Sequence, residues 1–273
     1  MHCTLFKIIS ILFELWTMEI IDTHCHLYLA DFTDDIDGII QRAGTEGITK
    51  FFLPAVDSET TEQLISLEKR FPGQCNAMMG LHPCSVKENY LEELKLVKNW
   101  LSQRKFAAIG EIGLDFYWDK SFTNQQIAAF EQQIDWAKDY QLPIVIHSRE
   151  AMQQCIDIVR KKQDGHLKGI FHCFSGTESE AREIIELGFY LGIGGVITYK
   201  KAGLAELLEK IDLSALVLET DAPYLTPVPF RGKRNESSYL KYIAAKLAEV
   251  KQISVEEVAR VTTENAGKVF VVE

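Results

Sequence analysis

Residues 19–29 read EIIDTHCHLYL, a short apolar run that closes on Asp22, His24 and His26. Burying such groups without partners costs kilocalories each, so a buried strand that ends this way needs a reason. Side chains alternate along a strand, which places Asp22, His24 and His26 on one face and Thr23 and Cys25 on the other. Two imidazoles on one face can grip a metal ion; the plain alternative is a pair of exposed or hydrogen-bonded histidines at a strand end. The remainder of the chain decides between them.

Seven further runs resemble the first. KFFLPAV (50–56), NAMMGLHP (76–83), FAAIGEIGLD (106–115), PIVIHSR (143–149), GIFHCFS (169–175), FYLGIGGVI (189–197) and ALVLETD (215–221) are apolar and rich in β-branched residues, and they read as strands. Helical patterns lie between them at Ser58–Arg70, Tyr90–Arg104, Thr123–Tyr140, Glu178–Leu187 and Leu204–Lys210. Ser237–Val250 follows the last strand, and ISVEEVARVTTENAGKVF (253–270) reads as a further pair of helices. Continuous apolar strands covered by helices imply a parallel sheet. Eight strand–helix units predict an α/β fold of the closed (β/α)8 TIM-barrel type, with a doubly wound open sheet as the alternative.

The chain of 273 residues suits one barrel domain, which commonly needs about 250. We expect that domain to span residues 18–273. The leader MHCTLFKIISILFELWT (1–17) is broken by Lys7 and Glu14, too short and charged for a spanning helix, and reads as an extension ahead of a start at Met18. An amphipathic helix docked on the body is the alternative. The 6 cysteines form no C-x-x-C pair, which favours free thiols and a reducing, cytoplasmic setting. A net charge of -10 opposes broad adhesion to nucleic acid, yet it does not exclude a phosphate held by a local basic rim or by metal ions. Nothing points to a membrane or to an obligate protein partner.

In a barrel enzyme the site lies at the C-terminal strand ends. Those ends carry His24 and His26, His82, Glu111, His147, His172 and Asp221, leaving only His2 and His166 of the 7 histidines elsewhere. Converging imidazoles and carboxylates call for a cation. Nitrogen and oxygen donors without thiolate suit zinc, manganese, iron or magnesium. Cys25 and Cys173 adjoin histidines, but alternation turns them away, as packing residues. His24, His26, Glu111, His147, His172 and Asp221 exceed what one hydrolytic ion with an open position can use. They suit two ions sharing a carboxylate, for which Glu111 is the natural bridge.

The order of DTHCHL (22–27), GLHP (80–83), GEIGLDFY (110–117), IHSREA (146–151), FHCFSG (171–176), LETDAPYLTP (218–227), RGKRNE (231–236) and TTENAGKVF (262–270) resembles the TatD-type metal-dependent deoxyribonucleases, within the amidohydrolase-like barrel enzymes. The resemblance implies that His24, His26 and Asp221 hold one ion, His147 and His172 a second, and that Glu111 bridges them. It further implies hydrolysis of phosphodiester bonds in a DNA substrate, often from the 3′ end of single strands, with magnesium or another divalent ion such as zinc or manganese. Asp221 and Glu111 are then the catalytic carboxylates, with Asp221 a ligand that can also accept the proton of the attacking water.

Substrate contacts are expected from cations and rings near the mouth. Arg231, Lys233 and Arg234 follow the last strand and are candidate phosphate clamps, as is Arg149, which could equally serve the adjoining helix end. His82 reads as a substrate contact rather than a ligand, and Tyr117, Trp118 and Tyr224 are candidates for stacking on bases. One departure from the family pattern is Ser237 after RGKRNE, where proline is common. The rival reading is a barrel metallohydrolase acting on an amide, ester or lactone, because the same activated water serves all of them.

Overall fold

The computed structural model describes residues 19–270. The expected extension at 1–17 and the start at Met18 lie outside the described residues. Strands β1 (Ile20–Asp22), β2 (Ile48–Leu53), β3 (Cys75–Ala77), β4 (Ile109–Asp115), β5 (Ile144–Arg149), β6 (Gly169–Phe171), β7 (Phe189–Ile193) and β8 (Leu216–Leu218) each overlap one of the eight apolar runs, β2 starting two residues and β3 one residue before its run. Regular ladders, all parallel, join β1 to β3 and β4 to β8.

Two seams turn these ladders into a ring. Between β3 and β4, Met79 and Ile109 form a parallel bridge, and the Gly110 N–H donates to the Met79 carbonyl at 3.1 Å. Between β8 and β1, the Thr23 N–H donates to Leu218 O at 3.0 Å, the Asp221 N–H to His24 O at 2.9 Å and the His26 N–H to Ala222 O at 2.8 Å. The barrel is therefore closed, and its last seam runs through candidate ligands.

Helices α1 (Ile36–Thr45), α2 (Thr61–Arg70), α3 (Tyr90–Gln103), α4 (Thr123–Tyr140), α5 (Met152–Lys162), α6 (Glu178–Glu186), α7 (Leu204–Leu208), α8 (Leu240–Lys251) and α9 (Val255–Val269) complete the units. α6 starts at a capping box in which Thr177 and Glu180 satisfy each other's backbone N–H groups. The expected terminal pair is instead the single helix α9. Asn265, within it, sends its side-chain amide to Leu213 O and Leu216 O.

A layer of interior side chains, Ile21, Phe52, Met78, Val145, Ile170 and Val217 among them, packs on Ala266, Val269 and Phe270 from the end of α9. Phe270 stacks on Phe52 with ring centroids 3.8 Å apart. Val145, Ile170 and Val217 each stand two residues before His147, His172 and Glu219, so alternation puts an apolar floor directly beneath the polar groups. Burying a side chain such as Phe270 contributes about 1.5–3 kcal/mol, which holds that floor shut.

Candidate metal centre

β1 stops at Asp22, and Thr23 sends both its N–H and its hydroxyl to Leu218 O, at 3.0 and 2.9 Å. The regular alternation ends there. His24 and His26 turn toward each other, Nε2 to Nε2 at 3.2 Å. Asp22 does not share their face, contrary to the expectation from strand spacing. Its carboxylate accepts from the Thr220 N–H at 2.9 Å, the Thr220 hydroxyl at 2.6 Å and the Ser237 hydroxyl at 2.7 Å. Burial pushes the Asp22 carboxyl up to about 6 against the opposing hydrogen bonds from Thr220 and Ser237. Ser237, the departure from the usual proline, is thus a donor to this buried acid.

Glu111, buried on β4, divides its two oxygens between two groups of imidazoles. Oε2 stands 3.0 Å from His24 Nε2 and 3.7 Å from His26 Nε2. Oε1 stands 2.8 Å from His147 Nδ1, 3.3 Å from His172 Nε2 and 3.4 Å from His82 Nε2. Asp221 Oδ1 completes the first group at 3.8 Å from His24 and 3.5 Å from His26. Donors bound at about 2.0–2.2 Å around one ion stand some 3–3.6 Å apart, so these spacings and this nitrogen and oxygen set fit a divalent cation. His24, His26 and Glu111 form one candidate trio, and His24, His172 and Asp221 another, because the His172 ring stacks on His24 at 3.6 Å. His172 therefore stands between the two groups, whereas the family resemblance assigns it to the second.

His82 joins Glu111 and His147 in a third trio. Its Nδ1, however, accepts from the Cys84 N–H at 3.1 Å, which places the proton of the neutral ring on Nε2, facing Glu111. That tautomer makes His82 a hydrogen-bond donor into the site.

Two carboxylates missed in the sequence reading orient these rings. Asp115 Oδ2 meets His147 Nε2 at 2.9 Å, while its Oδ1 accepts from the Tyr117 and Trp118 N–H groups at 3.0 and 3.2 Å. Glu219 Oε1 meets His172 Nδ1 at 3.1 Å. Carboxylate partners on the far nitrogen set the tautomer and raise the basicity of a ligating histidine. The signals were available: Asp115 ends β4, and Glu219 precedes Asp221 by two residues on a strand with an otherwise apolar interior. Gly192 makes room for the second of these, since a Cβ there would lie 2.2 Å from Glu219 Oε2.

The rim separates the expected cations. The Arg149 guanidinium lies over Tyr117 at 3.9 Å and Trp118 at 5.3 Å from the ring centroids. Arg231 covers Tyr199 at 4.1 Å, and Lys233 approaches Phe230 at 5.7 Å. Among the described residues none of these three cations forms an ion pair. Arg234 differs: both ends of its guanidinium bind Asp35, at 3.0 and 2.7 Å, so the expectation of a third phosphate clamp gives way to a structural tie. Arg42 grips Glu236 alongside it at 2.9 and 2.6 Å, fastening the RGKRNE loop to α1.

The chain matches the family described as TatD related DNase over residues 21–271. It belongs to that family. This TatD family chain is 39% identical over 250 residues to the uncharacterized metal-dependent hydrolase YabD of Bacillus subtilis, covering 91% of this chain and 98% of that one. It is 31% identical over 255 residues to the 3'-5' ssDNA/RNA exonuclease TatD of Erwinia tasmaniensis, with coverage of 91% and 98%. The crystal structure of the TatD homologue YjjV from Escherichia coli superposes with a TM-score of 0.89 at 30% identity, covering 94% of this chain and all of the other. The E. coli phosphotriesterase homology protein shares the fold alone, at a TM-score of 0.70 and 13% identity, covering 92% of this chain and 98% of that chain. The chain is a metal-dependent hydrolase of this family, and among its described residues no helix is long and apolar enough to cross a membrane.

The electrostatics of this centre favour positive charge. Burial alone would raise the Glu111 carboxyl, but His172, His24 and His82 outweigh it and hold the group well below the usual carboxylate range. Burial likewise works against Asp221, and a hydrogen bond from His26 with the charges of His172 and His24 brings it down. Conversely, His172 resists its own burial and is pushed up to about 10 by Glu111 and Glu219. The backbone concentrates uncommon geometry here as well: Asp221 and Cys173, next to or within the ligand segments, take φ of 57° and 47°. Such left-handed residues cost about 1–3 kcal/mol each and persist where surrounding contacts impose them.

Proposed function

We propose that this TatD family member is a nuclease that removes nucleotides from the 3′ end of single-stranded DNA by hydrolysing phosphodiester bonds at two divalent ions sharing Glu111. One observation carries the reading: Oε2 of Glu111 faces His24 and His26, whose Nε2 atoms also approach Asp221 Oδ1, whereas Oε1 faces His147 and His172. Magnesium, or zinc or manganese in its place, would lower the pKa of a bound water and offset charge on the phosphate and the leaving oxygen.

The chain's own groups supply the rest. Asp221 is held ionised, and with Oδ1 turned to the histidines its Oδ2 is left to accept the proton of the attacking water. Glu111 keeps both oxygens anionic and so both groups of ligands in register. His82 presents Nε2–H to a phosphate oxygen. The apolar floor closes the barrel below the centre, so substrate enters from the strand ends, where Arg149, Arg231 and Lys233 are free to meet a polyanion.

Those unpaired cations, and the relative named as an ssDNA/RNA exonuclease, favour a phosphodiester over the amide, ester or lactone of the rival reading. The test uses 3′- and 5′-end-labelled single-stranded and duplex DNA and RNA beside amide, ester and lactone substrates, with magnesium, manganese, zinc or EDTA. Metal-dependent shortening of single strands from the 3′ end is expected; turnover confined to the small neutral substrates would overturn the proposal.

A further inference from the structure

Two large rings stand in water beside this centre. Trp118 is 68% exposed and Tyr117 50%, on the turn that leaves β4, with ring centroids 4.9 Å apart and planes nearly perpendicular. The turn is not loose. Asp115 Oδ1 holds the N–H groups of both residues, and the Phe116 N–H donates to Arg149 O at 2.9 Å. Arg149 is the register partner of Asp115 across β4 and β5 and lays its guanidinium over Tyr117. The planar cation is thereby oriented by rings while, among the described residues, its N–H edge has no carboxylate partner. The other oxygen of Asp115 meets His147, so one side chain separates the ring platform from the ligand groups.

We propose that Tyr117, Trp118 and Arg149 form a subsite for one unpaired nucleotide beside the reacting phosphate, with Asp115 fixing that subsite to His147. The rings take the base by stacking, and the guanidinium takes an adjoining phosphate. The proposal rests on the nuclease reading and narrows it: a base within a duplex has both faces covered by its neighbours, so the subsite selects nucleotides that are free of a stack. Asp115 acts as a positioning residue, since its contacts are with the loop backbone and with His147.

The experiment compares kcat/KM on single-stranded oligonucleotides whose terminal residues are intact with those carrying an abasic residue at successive positions near the 3′ end. The metal-loaded wild type should prefer the intact strand by about tenfold or more at one position, the scale of one stacked base. In Trp118→Ala that ratio should fall toward one, while Trp118→Phe should retain most of it, and Tyr117→Leu provides an independent ring deletion. Bound metal is measured in every variant, to separate loss of the platform from damage to the centre. An unchanged ratio in both Trp118→Ala and Tyr117→Leu, or a wild type indifferent to the abasic residue, overturns the subsite and leaves the nuclease reading standing. A wild type that cuts no oligonucleotide removes that reading, and the subsite with it.

Discussion

Thr220 gives Asp22 both of its donors, the backbone N–H at 2.9 Å and the hydroxyl at 2.6 Å, across the seam where β8 meets β1. The same carboxylate also accepts from the His24 N–H at 3.4 Å, so it ties together the residue before Asp221 and a histidine of the same group. Replacing Asp22 by Ala leaves the Thr220 and Ser237 donors buried without an acceptor. Affinity for the ion near His24 should fall about 10- to 100-fold, with Asp22→Asn intermediate because it keeps one acceptor oxygen. Metal titration by calorimetry, beside Tm, checks this; wild-type affinity in Asp22→Ala would reduce the network to packing.

His24 and His26 face one oxygen of Glu111, and His147 faces the other. Changing both His24 and His26 to Ala should therefore lower metal content from about two ions toward one in a folded barrel, whereas Glu111→Gln should weaken both. Hydrolysis should drop by orders of magnitude in each, and EDTA should stop the wild type and lower its Tm. Elemental analysis at saturating metal with an activity assay decides the matter, and unchanged stoichiometry in the double variant would make those histidines structural.

Gly192 offers a test at a residue with no polar side chain. Gly192→Ala puts a methyl group where Glu219 Oε2 lies 2.2 Å away, so the carboxylate must shift from His172. The variant should reproduce Glu219→Gln, with metal affinity reduced about 10-fold or more. If Gly192→Ala binds metal like the wild type while Glu219→Gln does not, the carboxylate has room to move without releasing His172.

Arg231 and Arg234 are three residues apart and should behave differently. Arg231→Met removes a cation with no ion-pair partner among the described residues, so the slope of log affinity for single-stranded DNA against log salt should become shallower by about one phosphate contact. Arg234→Met removes the Asp35 tie, so Tm should fall while the salt slope stays close to wild type. Equal changes of slope in the two variants would show that Arg234 leaves Asp35 to meet substrate.

All eight strands were legible as short apolar runs, six of them closing on a histidine or a carboxylate, and most helix spans followed from charge spacing. α1 and α5 were not singled out, although their sequences IDGIIQRAGT and MQQCIDIVRKK carry the same amphipathic pattern. Closure of the ring was an inference from strand count, since the decisive hydrogen bonds join residues such as Thr23 and Leu218, 195 positions apart. The face of Asp22 was misjudged because period-2 alternation holds only while the ladder continues, and β1 ends at that residue. Asp115 and Glu219 escaped notice for a different reason: their positions at strand ends mark them as candidates, but which histidine each acid orients appears only once strands from distant parts of the chain lie side by side. The fate of Arg234 likewise depended on Asp35, supplied by the approach to α1.

The seam between Thr23 and Leu218 also sets a schedule for the chain as it is made. His24 and His26 leave the ribosome nearly two hundred residues before Asp221, a delay of roughly 10–40 s at the usual pace of synthesis of about 5–20 residues per second. The floor beneath them waits longer still, for Phe270 to reach Phe52. A nascent barrel thus holds five of its six candidate ligands before Asp221 arrives to complete them. For the proposed nuclease, that order withholds the last candidate ligand while most of the chain has already left the ribosome.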